Sequence, residues 1–189
     1  MTFFHVFYVQ IVELVGVAGA MLCLFGQTRK HDHQLKLFLA FGFSAWMLHF
    51  ALIGGAAGMA AVFGVASLRQ AILVYWQPVT KRDRIMFACS CITLAVTVGL
   101  FWWSGLTTLI ALAGLCWSSY VFTCLSGISL RIGLFVNNLI WFTGAAVAVS
   151  YTGMAYQAIA AMFVAYTGYA MRKRVELSQQ TQELAVAVK

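Results

Sequence analysis

Charged side chains are scarce in this chain of 189 residues, where they make up 9% of the sequence while 62% is hydrophobic. A soluble domain carries about 25% charged residues, because it needs them to cover its surface. The composition therefore excludes an ordinary soluble fold. Each crossing of a bilayer takes about 20 mostly apolar residues, so residues 5–171 have room for about seven or eight spans and for no soluble catalytic domain.

Acidic residues are the rarer charged type, with 5 Asp and Glu against 12 Lys and Arg. A nucleic-acid-binding protein gathers its basic residues on one solvated face. Here they lie in short loops between apolar runs, so we predict no nucleic-acid partner. The sequence also has no phosphate-binding loop, haem signature or nucleophile–base set, and we expect neither an enzyme nor a cofactor.

Metal-binding patterns are missing as well. The five cysteines lie inside apolar runs without a Cys-x-x-Cys spacing, which indicates packing residues. His31, Asp32 and His33 are adjacent, but they lie in a flexible basic loop, and we interpret them as solvated side chains. We therefore expect no metal site.

Seven apolar runs are each long enough to cross a bilayer. Met1–His5 lacks the positive start of a signal peptide, so we expect the first run to stay in the protein as a span. Very short connections at 54–57 and 150–152 require antiparallel helical hairpins. The runs are 5–27, 34–54, 57–77, 84–103, 105–125, 129–149 and 152–171.

Basic residues follow only the odd-numbered spans, and the other connections carry no Lys or Arg. Cytoplasmic loops are enriched in Lys and Arg, so this alternation predicts an outside N-terminus and a cytoplasmic tail at 172–189, in an inner membrane of bacterial type. It also supports an odd number of spans. The residues concerned are Arg29, Lys30, Lys36, Lys81, Arg82, Arg84, Arg131, Arg172, Lys173 and Arg174.

The two halves of the chain resemble each other. When residues 14–76 are aligned without gaps to 109–171, 12 of the 63 pairs are identical, and such self-similarity is the sign of an internal repeat. Trp46 then matches Trp141, and Lys36 falls against Arg131.

The seven apolar runs and the internal repeat together predict an all-α bundle of seven transmembrane helices, built from two parallel three-helix repeats. The first repeat is 5–77, the linker helix is 84–103, and the second repeat is 105–171. Parallel repeats of this kind are a known transporter architecture, with the site between the repeats.

Four short motifs, in spans 1, 2, 3 and 6, give the chain a family resemblance. They are Phe25-Gly-Gln-Thr-Arg29, Trp46-Met-Leu-His49-Phe, Ala66-Ser-Leu-Arg69 and Asn138-Leu-Ile-Trp141. In their order and spacing the sequence resembles the YgjV family of bacterial inner membrane proteins over nearly its whole length. That resemblance implies topology and location, and it implies no established activity.

The repeat plan is also similar to that of SWEET and PQ-loop transporters and of nicotinamide-riboside carriers. The PQ-loop proteins bend their helices at prolines in the first span of each repeat. This sequence has a single proline, Pro78, in a predicted cytoplasmic loop. Proline hinges therefore cannot drive alternating access here.

Two ionisable residues, Glu13 and Arg69, lie clearly inside predicted spans, where each costs about 2.5–3.5 kcal/mol on insertion scales. From the helical rise they lie about 6 Å apart in depth. We interpret them as a buried pair or a shared polar layer. The alternatives are that both side chains extend to the nearest water, or that Glu13 is protonated because burial disfavours its charge, which would suit proton coupling.

Two tryptophans, Trp46 and Trp141, lie too deep in their spans for the interfacial aromatic belt. His49 shares a helical face with Trp46, and Asn138 shares one with Trp141. An aromatic plate beside hydrogen-bonding groups suits a sugar, a nucleoside or an aromatic vitamin. The alternative is that the tryptophans fill the core of each repeat while Asn137 and Asn138 bond between helices.

The leading hypothesis is therefore a small-solute carrier or facilitator with a site near the midplane between the repeats. The alternative is a non-transporting scaffold or partner subunit, in which the polar groups give helix–helix specificity. The expected partners are the lipid bilayer and a small solute, and the oligomeric state stays open, a homo-oligomer included. The predicted site residues are Trp46, His49, Arg69, Asn138, Trp141 and Glu13, with Gln70 and Gln157 as weaker candidates.

Overall fold

The computed structural model describes residues 2–53, 57–76, 78–103, 105–147 and 151–187. These residues form seven α-helices and no strand. The helices are α1 (Thr2–Gln27), α2 (Asp32–Ile53), α3 (Ala57–Tyr75), α4 (Lys81–Phe101), α5 (Leu106–Cys124), α6 (Gly127–Val147) and α7 (Tyr151–Ala187).

The helix bounds follow the predicted spans closely. Helices α1 to α6 begin and end within three residues of those spans, whereas α7 continues 16 residues past its predicted end at Met171. The predicted tail is thus largely a helical extension of the last span. The two short connections lie outside the described residues at 54–56 and 148–150, as do Val188 and Lys189.

Helices suit a bilayer, because in lipid the backbone must satisfy its own hydrogen bonds. Among the described residues, four stretches are long and apolar enough to span a membrane, and the apolar part of α5, Thr108–Cys124, is shorter. Large apolar side chains are exposed along the helices, as expected of a lipid-facing surface. The fold is a membrane-spanning seven-helix bundle. The four stretches are Tyr8–Gln27, Asp32–Leu52, Gly58–Tyr75 and Lys81–Phe101.

Local sequence signals set several helix ends. Thr80 caps α4 by accepting a hydrogen bond from the backbone N–H of Asp83 at 3.1 Å. Pro78 lies between α3 and α4, where its carbonyl accepts a hydrogen bond from Arg84 Nε at 3.0 Å. Because the only proline is in this connection, no helix of the bundle has a proline kink.

Helices that follow each other in sequence pack together, and further contacts join the two halves, where α1 packs on α7 and α3 packs on α5. The linker helix α4 packs against α3 and α5. One hydrophobic core is shared by both halves. Its buried residues are Cys23, Leu35, Leu39, Leu73, Val121, Phe122, Leu130, Leu134 and Val164.

At the end of the bundle that carries the basic loops, an ionic contact also joins the halves. Arg131 in α6 is buried, and its Nη2 donates to the Asp32 carboxylate at 3.1 Å and to the carbonyls of Arg29 at 2.8 Å and Lys30 at 3.3 Å. The other Asp32 oxygen accepts the backbone N–H of Gly127, the first residue of α6, at 2.9 Å. We call these contacts of Asp32 with Arg131 and Gly127 the latch.

The latch corrects the interpretation of the histidine-rich loop as wholly solvated. His31 and His33 are exposed, but Asp32 begins α2 and binds Arg131. A carboxylate near the start of a helix is favoured by the helix dipole, and Asp32 lies at the start of both α2 and α6. The sequence could not show this because Asp32 and Arg131 are 99 residues apart.

Candidate functional site

A cavity of about 480 Å³ lies inside the bundle. Residues of α1, α2, α3, α5, α6 and α7 line it, and the described residues of α4 contribute none. The lining is mostly aliphatic and aromatic with a few polar side chains, which is the usual composition of a small-molecule site. The cavity thus lies between the six helices of the two predicted repeats and not beside the linker helix.

The six main predicted site residues all line this cavity, although they come from four different helices. Their role in binding a solute stays a prediction. The residues are Glu13 on α1, Trp46 and His49 on α2, Arg69 on α3, and Asn138 and Trp141 on α6.

The two tryptophans belong to one aromatic wall of the cavity. The ring of Phe63 on α3 stacks on Trp46 from one half at a centroid distance of 6.0 Å and on Trp141 from the other half at 5.7 Å. Phe50 stacks on Trp46 at 5.7 Å and on Phe63 at 5.4 Å. We call Trp46, Phe50, Phe63 and Trp141 the aromatic wall. It presents a broad π surface to the cavity.

Close helix packing places the two tryptophans. A side chain at Gly19 would lie 3.2 Å from Cδ1 of Trp46, and one at Gly114 would lie 2.9 Å from Cε2 and Nε1 of Trp141. Each indole therefore fills the space that a glycine leaves on the neighbouring helix. This explains why two bulky side chains fit so deep in the bundle.

His49 is buried and has one fixed hydrogen bond. Its Nδ1 lies 2.8 Å from the carbonyl oxygen of Val12 on α1. A carbonyl only accepts, so Nδ1 carries the proton, and in the neutral ring Nε2 remains an acceptor. The imidazole packs edge-on against Trp46 at 5.3 Å, as their spacing on one helical face predicted.

Asn138 links the helices of the two halves. Its Nδ2 donates to Oε1 of Gln27, the last residue of α1, at 3.1 Å, and both side chains are buried. The one hydroxyl hydrogen of Thr167 on α7 is shared between the carbonyls of Phe163, at 2.8 Å, and Gln27, at 3.2 Å. Asn138 therefore bonds between helices, as the alternative interpretation predicted, and it also lines the cavity.

Arg69 is almost completely buried, with 1% of its surface exposed. Its Nη1 donates to the hydroxyls of Ser118 and Ser119 on α5, at 2.9 Å each. Its guanidinium carbon lies 5.1 Å from the centre of the Phe122 ring. The side chain is thus held inside the bundle and does not extend to the membrane surface.

The direct pair of Glu13 with Arg69 is not formed. The ion pairs among the described residues join Arg131 to Asp32 and Arg172 to Glu176. Glu13 is exposed and lies on the cavity lining with Arg69, so the two charges share the cavity without touching. The depth estimate was compatible with a pair, but Arg69 is held toward the serines of α5 instead.

Several polar atoms in the cavity lining are buried and have no hydrogen-bond partner. They are Nε and Nη2 of Arg69, Oδ1 of Asn137 and Oε1 of Gln157. Gln70 is also buried and unpartnered but does not line the cavity. An unmet buried donor or acceptor costs about 1–3 kcal/mol, so these atoms favour an occupant that bonds to them.

Sequence reasoning missed three lining residues that matter here, Phe63, Gln27 and Ser118. It also missed Ser119, which bonds to Arg69. Phe63 is one of 15 phenylalanines, and nothing in its spacing distinguishes it from a lipid-facing residue. The adjacent pair Ser118 and Ser119 was the one signal in the sequence that could have identified missed residues. Polar residues within a membrane span tend to face the bundle interior.

The described residues contain no group of three or more His, Cys, Asp or Glu that could hold a metal ion. Neither a curated protein nor a solved structure matches the chain. The sequence profile of a family described as bacterial inner membrane protein, Imp-YgjV, matches residues 10–175. This match covers most of the sequence and includes every predicted site residue. The chain therefore belongs to the Imp-YgjV family of bacterial inner membrane proteins.

Proposed function

We propose that this inner membrane protein is a carrier or facilitator of a small solute, which binds in the cavity between the two halves. The observation that supports the proposal most directly is the cavity itself. Its volume of about 480 Å³ lies within the range of roughly 300–1,000 Å³ that small-molecule sites occupy. A structural bundle has no need of such a space, nor of unpartnered polar atoms around it.

The packing supports a two-fold arrangement of repeats around the cavity. Under the shift of 95 residues, the contact of Gly19 with Trp46 corresponds to that of Gly114 with Trp141. The contact of α1 with α7 likewise corresponds to that of α5 with α3. Parallel repeats that meet in this way leave equivalent surfaces facing a common site, as in known transporters.

The latch supplies the carrier with a gate. It joins the start of α2 in one half to the start of α6 in the other, at the end of the bundle that the basic loops assign to the cytoplasm. Behind it, the bond of Asn138 to Gln27 closes the same end of the cavity. Both contacts run between the halves, so they would break when the halves separate and re-form when they close. Alternating access of this kind needs no proline hinge.

The scaffold remains the second candidate, and one observation favours it. Asn138 donates a hydrogen bond to Gln27 across the helices, as expected of a residue that specifies helix pairing. A scaffold needs the cavity walls to be dry and packed, whereas a carrier needs water to reach them. The two functions therefore differ in a property that can be measured.

The test replaces single cavity residues by cysteine, in a background that lacks the five native cysteines, and measures labelling by a membrane-impermeant thiol reagent from each side. The positions are Trp46, Arg69, Asn138 and Trp141, with Ala66→Cys as the mildest change because it adds only one sulfur atom to a buried lining residue. A carrier predicts labelling at several of these positions. Solute at saturating concentration should then protect them.

The matched control is Ala60→Cys, which lies on the same helix α3 and is also buried but does not line the cavity. Val79→Cys, in the exposed connection after α3, reports that the reagent works. Labelling of Val79→Cys alone, in protein that remains folded, would reject the carrier and leave the scaffold.

A further inference from the structure

Arg69 is a buried cation without a counter-charge. Its neighbours are two serine hydroxyls and the Phe122 ring, and no carboxylate of the described residues lies within ion-pairing distance. Burying a charge without a partner is strongly unfavourable, so such residues in membrane proteins mark ligand pathways more often than packing positions. The missing partner is an anion.

The two serines fix the orientation of the guanidinium and cannot act as donors to a ligand. The hydroxyl of Ser118 donates to the Leu115 carbonyl at 3.1 Å, and that of Ser119 donates to the same carbonyl at 2.8 Å. Each hydroxyl has one hydrogen, so toward Arg69 each can only accept. Both therefore hold Nη1 and leave the rest of the guanidinium free.

The free part of Arg69 is one complete edge, made of Nε and Nη2. These two N–H groups point the same way and match the spacing of two oxygens of a carboxylate or phosphoryl group, which the edge binds in a bidentate manner. A single neutral hydroxyl or carbonyl offers one oxygen instead of two and carries no charge to balance the guanidinium. The edge is itself buried, so binding requires a small shift of the Arg69 or Phe122 side chain.

The aromatic wall and Arg69 line the same cavity. Phe63 precedes Arg69 by six residues on α3, which corresponds to about 9 Å along the helix axis. The Arg69 side chain spans part of that distance. A solute that reaches both features is therefore a small molecule with a ring at one end and an anionic group a few bonds away.

We propose that the solute is a ring-bearing organic anion, whose carboxylate or phosphoryl oxygens bind the Nε–Nη2 edge of Arg69 while its ring stacks on the aromatic wall. This inference rests on the proposed function and narrows it, because a neutral sugar or nucleoside would leave the buried charge of Arg69 without a counter-charge. Asn137 Oδ1 and Gln157 Oε1, the unpartnered acceptors, are available for a polar N–H or hydroxyl on the ring.

The experiment measures binding by isothermal titration calorimetry to the full-length protein in lipid nanodiscs. The probes are 3-phenylpropionate, its neutral amide 3-phenylpropanamide, and 2-phenylethyl phosphate. Loss of a hydrogen bond to a charged group weakens binding about tenfold or more. We therefore expect the amide to bind at least about tenfold more weakly than the better of the two anions. The better anion identifies the solute class as carboxylate or phosphate ester.

The same titrations on Arg69→Gln should remove the preference for the anions and keep the binding of the amide. The matched control is Arg82→Gln, an exposed arginine in the first turn of α4 that should keep the full preference. If Arg69→Gln does not fold, the comparison of the acid with the amide on the unmodified protein still tests whether the cavity prefers an anion.

Equal binding of the acid, the phosphate and the amide to the unmodified protein would overturn the anion site and leave the carrier intact. Absence of binding by all three probes at millimolar concentration would also overturn it. The thiol labelling of the cavity then tests, independently, whether the carrier proposal fails as well.

Discussion

The two deep tryptophans show how single residues determine the cavity. Trp46 packs against Gly19 and Trp141 packs against Gly114, so each indole fits only because the facing helix has no side chain at that position. The sequence pattern identified the tryptophans as too deep for the interface, but it could not tell a ligand surface from core packing. Phe63, which stacks between them, joins the two into one wall.

We expect Gly114→Ala to destabilise the bundle. The new methyl group would lie 2.9 Å from the ring of Trp141 and would displace it, at a cost of about 1–3 kcal/mol as in other overpacked cores. The measurement is unfolding by sodium dodecyl sulfate in mixed micelles, followed by tryptophan fluorescence. Gly168→Ala is the control, because its methyl group would meet nothing closer than 3.4 Å. Equal stability of the two variants would contradict the close packing of Trp141.

The residues found in advance and those missed differ in a physical way. Glu13, Arg69, Trp46 and Trp141 were recognisable because charge or position made them expensive or unusual in a membrane. Phe63 is an ordinary apolar residue whose importance comes from lying between two other helices. Such contacts depend on tertiary packing and leave no local signal in the sequence.

At the scale of helices, the latch connects α2 and α6, which lie far apart in the sequence. Span lengths placed α2 and α6 correctly, because apolar length is a local property of the chain. The capping of α6 by Asp32, at the start of α2, is a contact between the two halves. The predicted alignment of Lys36 with Arg131 pointed to the right region but not to Asp32.

Asp32→Ala should destabilise the protein by about 1–3 kcal/mol. Removing one partner of a buried ion pair costs about 3–5 kcal/mol, and the 25% exposure of Asp32 lowers that figure. Asp32→Asn should cost less, because the amide oxygen can still cap Gly127. The same detergent titration measures both variants.

The control for the latch is Glu176→Gln, which breaks the pair of Glu176 with Arg172 on the surface of α7. Both partners are more than half exposed, and such pairs contribute about 0–1 kcal/mol. An Asp32→Ala protein no less stable than Glu176→Gln would show that the latch is not a structural contact.

At the scale of the whole molecule, the distribution of basic residues predicts the orientation in the membrane. Val79 precedes α4 at its basic end, and Trp103 follows α4 at the other end, and both side chains are exposed. With the basic loops in the cytoplasm, Trp103→Cys should react with a membrane-impermeant thiol reagent on intact cells. Val79→Cys should react only after the membrane is opened. The reverse pattern would invert the proposed topology and place the latch on the outer side.

The long last helix has a mechanical consequence. Residues Arg172–Ala187 extend α7 by 16 residues, or about 24 Å, beyond its predicted span. Since α7 packs on both α1 and α6, a tilt between the halves moves this extension as a rigid lever. For an extension of this length, a tilt of about 10° would displace the tip by about 4 Å. A spin label near the tip would thus amplify a small rearrangement inside the membrane into a displacement that distance measurements can resolve.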